Sequence, residues 1–194
     1  MKRLIFLMSA LLFMLVVSTA PAKEAKKAPA ETKAPYKIGA IFSITGDASS
    51  LGMPEKQTAE MLMEQINAAG GINGHPLEIV IYDDKGDETE AVTMAKRLIN
   101  NDKVSAIVGP SRSGTSLAIV DTVSKAEIPL VTCAASGKIV KDETGKTRKW
   151  VFMTPQSDVA AVQKIYEYFG KNKITQIAIM SDSKIGRASC RERV

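Results

Sequence analysis

The chain has 194 residues, 45% of them hydrophobic and 24% charged, enough to build one packed core. Its formal net charge is +5, yet residues 36–184 carry 17 Lys and Arg against 18 Asp and Glu. The basic excess sits at the two ends, so it makes no case for nucleic-acid binding.

Residues 1–22 have a basic start (Lys2, Arg3), an apolar run from Leu4 to Val17 and a small-residue exit, Ala20-Pro21-Ala22. That is the layout of a cleavable secretory signal peptide, and the run is short for a membrane span. Residues 23–35, KEAKKAPAETKAP, are rich in Ala, Lys, Glu and Pro and are expected to form a disordered linker.

From Tyr36 on, short apolar strands alternate with amphipathic helices. Residues 36–44 predict a strand, closed by the turn residues Thr45-Gly46-Asp47. Ala59, Leu62, Met63, Ile66 and Ala69 share one helical face, predicting a helix over 54–69 that stops at Gly70-Gly71. Asn73-Gly74 turns the chain into a second strand, 77–83. Asp87 and Glu90 have the spacing of a capping box and start a helix that ends near Asn100-Asn101. A third strand is expected at 104–109, a helix at about 114–126 and a fourth strand at 130–134. Residues 138–149 predict a loop, 151–155 a short strand, 157–169 a helix and 174–180 a further strand. The alternation implies an α/β fold, a parallel sheet with helices on both faces.

Ile185 to Val194, IGRASCRERV, have neither strand nor helix periodicity. They back-translate into what looks like a sequencing adapter read in frame. The expectation is that the natural sequence runs only to Lys184 and that residues 185–194 are an artefact. Cys133 is then the one cysteine that counts, and no disulfide follows.

The segment 108–118, VGPSRSGTSLA, has nearly the outline of a phosphate-binding loop. Thr115 stands where that loop needs its Lys, which argues against a nucleotide. A strand end followed by small residues and a helix start still gathers free backbone N–H groups at one spot, and a carboxylate fits there as well as a phosphate. Other residues have blander readings. His75 is expected to be an exposed turn residue and Cys133 a small buried one. Met61, Met63, Met94 and Met153 are expected to fill the core. Asp83-Asp84 is expected to form turns, since no His/Cys/Asp cluster accompanies it to hold a metal. A Ser-His-Asp set and a nucleophile elbow cannot be assembled, so no enzyme is expected.

Taken in order, EQINAAGGINGHPLEIVIYDDKGD (64–87), VGPSRSGTSLA and IPLVTCAAS (128–136) resemble the first lobe of type I periplasmic binding proteins. Within that family the resemblance is to the branched-chain amino-acid (leucine/isoleucine/valine) receptors of ABC importers. It implies two α/β lobes closing over a ligand, with 36–154 the first lobe, a crossing near 153–157 and 155–184 the start of the second. It also implies a periplasmic protein, a monomer at full length, that needs no cofactor or metal and delivers an amino acid to the membrane permease of an ABC importer. Residue by residue, Ser113 matches the position that donates to the ligand's α-carboxylate. The Ala134 carbonyl would accept from the α-ammonium, Ser136 would touch the head group, and Leu51 would line the side-chain pocket where the family often has an aromatic. Arg112 is expected to face solvent or the second lobe. The alternatives are a sensory ligand-binding domain, or a relative that takes amides, urea or aromatic acids.

Overall fold

The computed structural model of the chain describes residues 33–178. The signal-peptide stretch, nearly all of the linker and the adapter-like tail lie outside them.

The elements run β1 (Tyr36–Phe42), α1 (Ser49–Ala68), β2 (Leu77–Asp83), α2 (Glu88–Arg97), a π-helical turn (Leu98–Asp102) and β3 (Ile107–Val108). Then follow α3 (Ser113–Ala126), β4 (Leu130–Thr132), α4 (Gly137–Val140), β5 (Val151–Met153) and α5 (Asp158–Lys171). The five strands form one sheet in the order β2-β1-β3-β4-β5, and every pairing is parallel. Tyr36 lies opposite Leu77 and Phe42 opposite Asp83, while Gly39 and Ala40 pair with Ile107 and Val108 on the other side. The chain therefore leaves β1 in one direction to make β2 and in the other to make β3, β4 and β5. In an open parallel sheet the loops part at such a reversal, and a crevice opens beyond the carboxyl ends of the strands.

The core lies between the sheet and the pair α2 and α3. Ile41, Ile107, Leu130 and Val151 from the strands meet Ala91, Ala95 and Leu98 on one side and Ile119, Val120 and Val123 on the other. All ten are buried. Leu98 packs so tightly on the sheet that a Cβ at Gly39 would lie 2.7 Å from its Cδ1.

Several features differ from the sequence expectation. Helix α1 begins at Ser49 rather than Pro54, because Gly52 lets its first turn lie directly on the Ser43 backbone. Pro54 sits inside the helix and forgoes one backbone bond there. Strand β3 is only two residues long. The expected loop 138–149 opens with the short helix α4 and then folds back through a bridge between Lys141 and Thr147. Met61 is exposed, not core, while Met63, Met94 and Met153 are half-buried. Residues 174–178 form no strand, since a strand needs a neighbour to ladder with and these residues are exposed.

Candidate functional site

A cleft of about 760 Å3 opens beyond the carboxyl ends of the strands. The loops after β1, β2, β3 and β4 line it, and Leu51 and Glu55 reach it from one face of α1. These two are four residues apart, one helical turn, and so point the same way.

The centre of the cleft is the start of α3. After β3, Gly109 takes φ +91°, and a Cβ there would collide with the Ile41 carbonyl oxygen, so only glycine allows the close approach. The Gly109–Pro110 peptide is cis. Ser111 and Arg112 follow, and α3 starts at Ser113 with no side chain capping it. The neighbouring α2 is capped: Asp87 Oδ1 accepts from the N–H groups of Thr89 (2.8 Å) and Glu90 (2.9 Å). At α3 the corresponding amides belong to residues that line the cleft, with the positive end of the helix dipole behind them.

Thr115, at the lysine position of a phosphate loop, donates its hydroxyl to the Arg112 carbonyl at 3.1 Å. The Arg112 side chain, expected to face solvent or the second lobe, lines the cleft. It is half-buried in the cleft wall and donates to the Gly86 carbonyl at 3.4 Å. The Glu88 carboxylate also lies here, since a Cβ on Gly114 would come within 2.7 Å of its Oε1.

Of the residues singled out from sequence, Ser113, Ala134 and Leu51 share this cleft. Ala134 is buried, and its N–H donates to Thr132 Oγ1 (3.1 Å), which also bonds Ser116 Oγ (2.7 Å) and so braces β4 against α3. Leu51 is 52% exposed and its apolar surface faces the opening. Ser136 is set apart. It precedes α4 and lines a neighbouring hollow of about 520 Å3, with residues from α4 and the start of α5.

Among the lining residues that the sequence reading did not place in a site are Glu55, Ser111 and Cys133. The available signal was the one-turn spacing of Leu51 and Glu55. Ser43 N–H donates to Ser111 Oγ (3.0 Å), and the Ser111 hydroxyl donates to Glu55 Oε2. Ser43 Oγ donates to Asp84 Oδ1 (2.7 Å), which also accepts from Gly86 N–H (2.9 Å). Burial pushes the Glu55 carboxyl above its usual pKa, against the hydrogen bonds from Ser111 and Cys133, and the Asp84 charge adds to the rise. Cys133, half-buried rather than buried, is a thiol whose pKa burial and the Glu55 charge push up to about 11. It is a poor nucleophile.

Asp83 and Asp84 organise turns, as expected. Asp83 Oδ1 accepts from the N–H groups of Ile44 (2.9 Å) and Lys85 (2.8 Å), and its Oδ2 from Thr45 Oγ1 (2.6 Å). His75 is half-buried rather than exposed, with its ring 4.6 Å from that of Tyr36. Among the described residues no group of His, Cys, Asp and Glu is placed to hold a metal ion, and no helix is long and apolar enough to cross a membrane.

A family model described as periplasmic binding protein matches residues 35–192. The chain belongs to that family. The periplasmic binding proteins are a solute-binding class, and the α/β fold seen here, a parallel sheet flanked by helices, is that of its type I members. Over 146 residues the chain is 30% identical to Leu/Ile/Val-binding protein homolog 3 of Brucella melitensis, covering 75% of this chain and 39% of that one. Over 118 residues it is 34% identical to the leucine-, isoleucine-, valine-, threonine- and alanine-binding protein of Pseudomonas aeruginosa, covering 61% and 31%. Among solved structures, the branched-chain amino acid transporter substrate binding protein LivJ of Streptococcus pneumoniae, in complex with isoleucine, matches with a TM-score of 0.59 and 34% identity. That match covers 65% of this chain and 35% of the other. The chain thus spans well under half the length of these relatives.

Proposed function

We propose that this chain is the first lobe of an extracytoplasmic receptor that captures an amino acid and hands it to the permease of an ABC importer. The observation that carries the reading is the uncapped start of α3, opening into a cleft shared with Ala134 and Leu51. A free amino acid brings one carboxylate, one ammonium and a side chain. The amides at the start of α3 and the Ser113 hydroxyl take the carboxylate, the Ala134 carbonyl accepts from the ammonium, and Leu51 borders the side chain. Ser136, at the start of the neighbouring hollow, reaches the head group once the second lobe closes. Leucine, isoleucine and valine are the first-choice ligands, supported by the ligands that the relatives' names give.

In this reading residues 1–22 direct export to the periplasm and residues 36–154 form the lobe. Residues 155–184 begin a second lobe, and the protein works as a monomer without catalysis or cofactor. Closure of the second lobe matters energetically. Micromolar affinity corresponds to about −8 kcal/mol, while two or three charge-assisted bonds of about 1.5–3 kcal/mol each must offset an association cost of about 4–15 kcal/mol.

The test is calorimetry on the protein at its natural length with each of the common amino acids. Leucine, isoleucine or valine is expected to bind, and Ser113→Ala to weaken that binding by about 1–3 kcal/mol. An unchanged affinity would remove Ser113 from the site.

A further inference from the structure

The amino-acid reading leaves Glu55 without a task. Glu55 reaches in from α1, half-buried, and takes the hydroxyl proton of Ser111, two residues before Ser113. We propose that Glu55 is a positioning residue: it fixes the turn that opens α3, through Ser111, so that the turn's amides are aligned before a ligand arrives. The proposal rests on the reading of that turn as the site for the ligand's acid group.

The bonding pattern supports a brace. Ser111 Oγ has one proton and accepts the Ser43 N–H, so its donation to Glu55 uses its whole donor capacity. Ser43 in turn spends its hydroxyl proton on Asp84, which also holds the Gly86 N–H. The run Glu55–Ser111–Ser43–Asp84–Gly86 therefore links α1 to the loops after β3, β1 and β2. Three of its members, Glu55, Ser111 and Gly86, line the cleft. The innermost part is tight: Ser43 and Asp84 are fully buried and Ser111 nearly so. The two ends, Glu55 and Gly86, lie at the cleft, and Glu55 is also bonded by Cys133. Taking Glu55 away would leave the Ser111 hydroxyl without its acceptor and loosen the Ser111 end of the turn, while Pro110 stays bonded to Cys133 and Ser116. A site whose donors are already aligned does not lose affinity to ordering them on binding.

A direct ionic contact between Glu55 and the ligand's ammonium is the competing role, and substitutions separate the two. The Gln of Glu55→Gln keeps a carbonyl oxygen that can accept from Ser111 but has no charge, and it escapes the burial cost that raises the Glu55 pKa. The charged neighbours, Asp84 beneath the brace and Lys85, Asp87, Glu88 and Arg112 on the cleft wall, are unchanged in every variant.

The experiment measures amide hydrogen exchange at residues 111–116 in the ligand-free protein at its natural length, alongside amino-acid affinity by calorimetry. Glu55→Ala and Ser111→Ala are each expected to lower protection of that turn by about tenfold, with α2 unchanged as the internal reference. Their combination should be no worse than Ser111→Ala alone, because that variant already cuts the bond to Glu55 along with the one from the Ser43 N–H. Glu55→Gln should restore both protection and affinity to within about threefold of the parent. Unaltered exchange in Glu55→Ala overturns the proposal. So does a Gln variant that keeps the turn protected yet binds as poorly as the Ala variant, since that outcome makes Glu55 a ligand contact. If the parent protein binds no amino acid, the receptor reading fails by itself, and the exchange measurements still decide whether Glu55 holds the turn.

Discussion

Helices α2 and α3 both begin on the rim of one cleft, one loop apart, and they begin differently. Helix α2 spends its first-turn amides on its own Asp87, and acidic residues sit in its first turn. Helix α3 has neither a capping side chain nor an acidic residue in that turn. The sheet delivers both helix starts to the same edge, so topology alone does not make a binding site. What distinguishes them is a local choice of residue, Asp87 against Arg112, at the position just before the helix. A helix start can serve a ligand only where its own sequence leaves the amides unspent.

The largest expected effect comes from erasing that difference. Arg112→Asp would give α3 the cap that α2 already has, filling the amides and setting a negative charge where the ligand's carboxylate belongs. Amino-acid binding should weaken by about 3 kcal/mol or more, while the melting temperature rises or holds because a cap contributes about 0.5–2 kcal/mol. Arg112→Ala is the control, since it also gives up the bond to the Gly86 carbonyl but supplies no acceptor. Equal losses in the two variants would mean that the Arg112 side chain matters and the open amides do not.

The converse substitution, Asp87→Ala, uncaps α2. Stability should fall by about 0.5–2 kcal/mol in denaturant unfolding, with amino-acid affinity nearly unchanged. A matching fall in affinity would show that the α2 start also holds the ligand and would dissolve the contrast.

Much of this was legible in the sequence because each signal was local. The Asp87 cap, the Asn73-Gly74 turn and the strand–helix alternation each depend on a few neighbouring residues, and the structure bears them out. The grouping of Ser113, Ala134, Ser136 and Leu51 came from the family resemblance; the cleft brings three of them together and leaves Ser136 in the neighbouring hollow. What stayed hidden was long-range. Glu55 and Ser111 are 56 residues apart, and nothing local tells that a glutamate on an amphipathic helix will meet a serine beyond β3. The expected strand at 174–180 failed in its described part for a related reason. Its apolar residues are sound strand formers, but a strand exists only beside another, and periodicity cannot supply the neighbour. Helix α5 makes the same point: its spacing is helical, it is capped by Ser157, and yet it has no buried residue. Local rules form the element, and only tertiary packing covers it.

The smallest effect concerns the loop that carries the α2 cap to the rim. Burial alone would raise the Asp83 pKa, but the hydrogen bonds from Thr45, Lys85 and Ile44 outweigh it and hold the carboxyl below the usual value. A depressed folded-state pKa means that the ionised form is favoured by the fold. The stability from these bonds is therefore complete above the ordinary aspartate range, and it drains away as pH falls through the lowered folded value. Asp83→Asn leaves an acceptor in place but removes the titration. The difference in melting temperature between the parent and Asp83→Asn should hold steady around neutrality and shrink only in strong acid. A gap that grew on acidification would mean that the fold disfavours the Asp83 charge. The loops after β1 and β2 would then have to be held together by something other than that carboxylate.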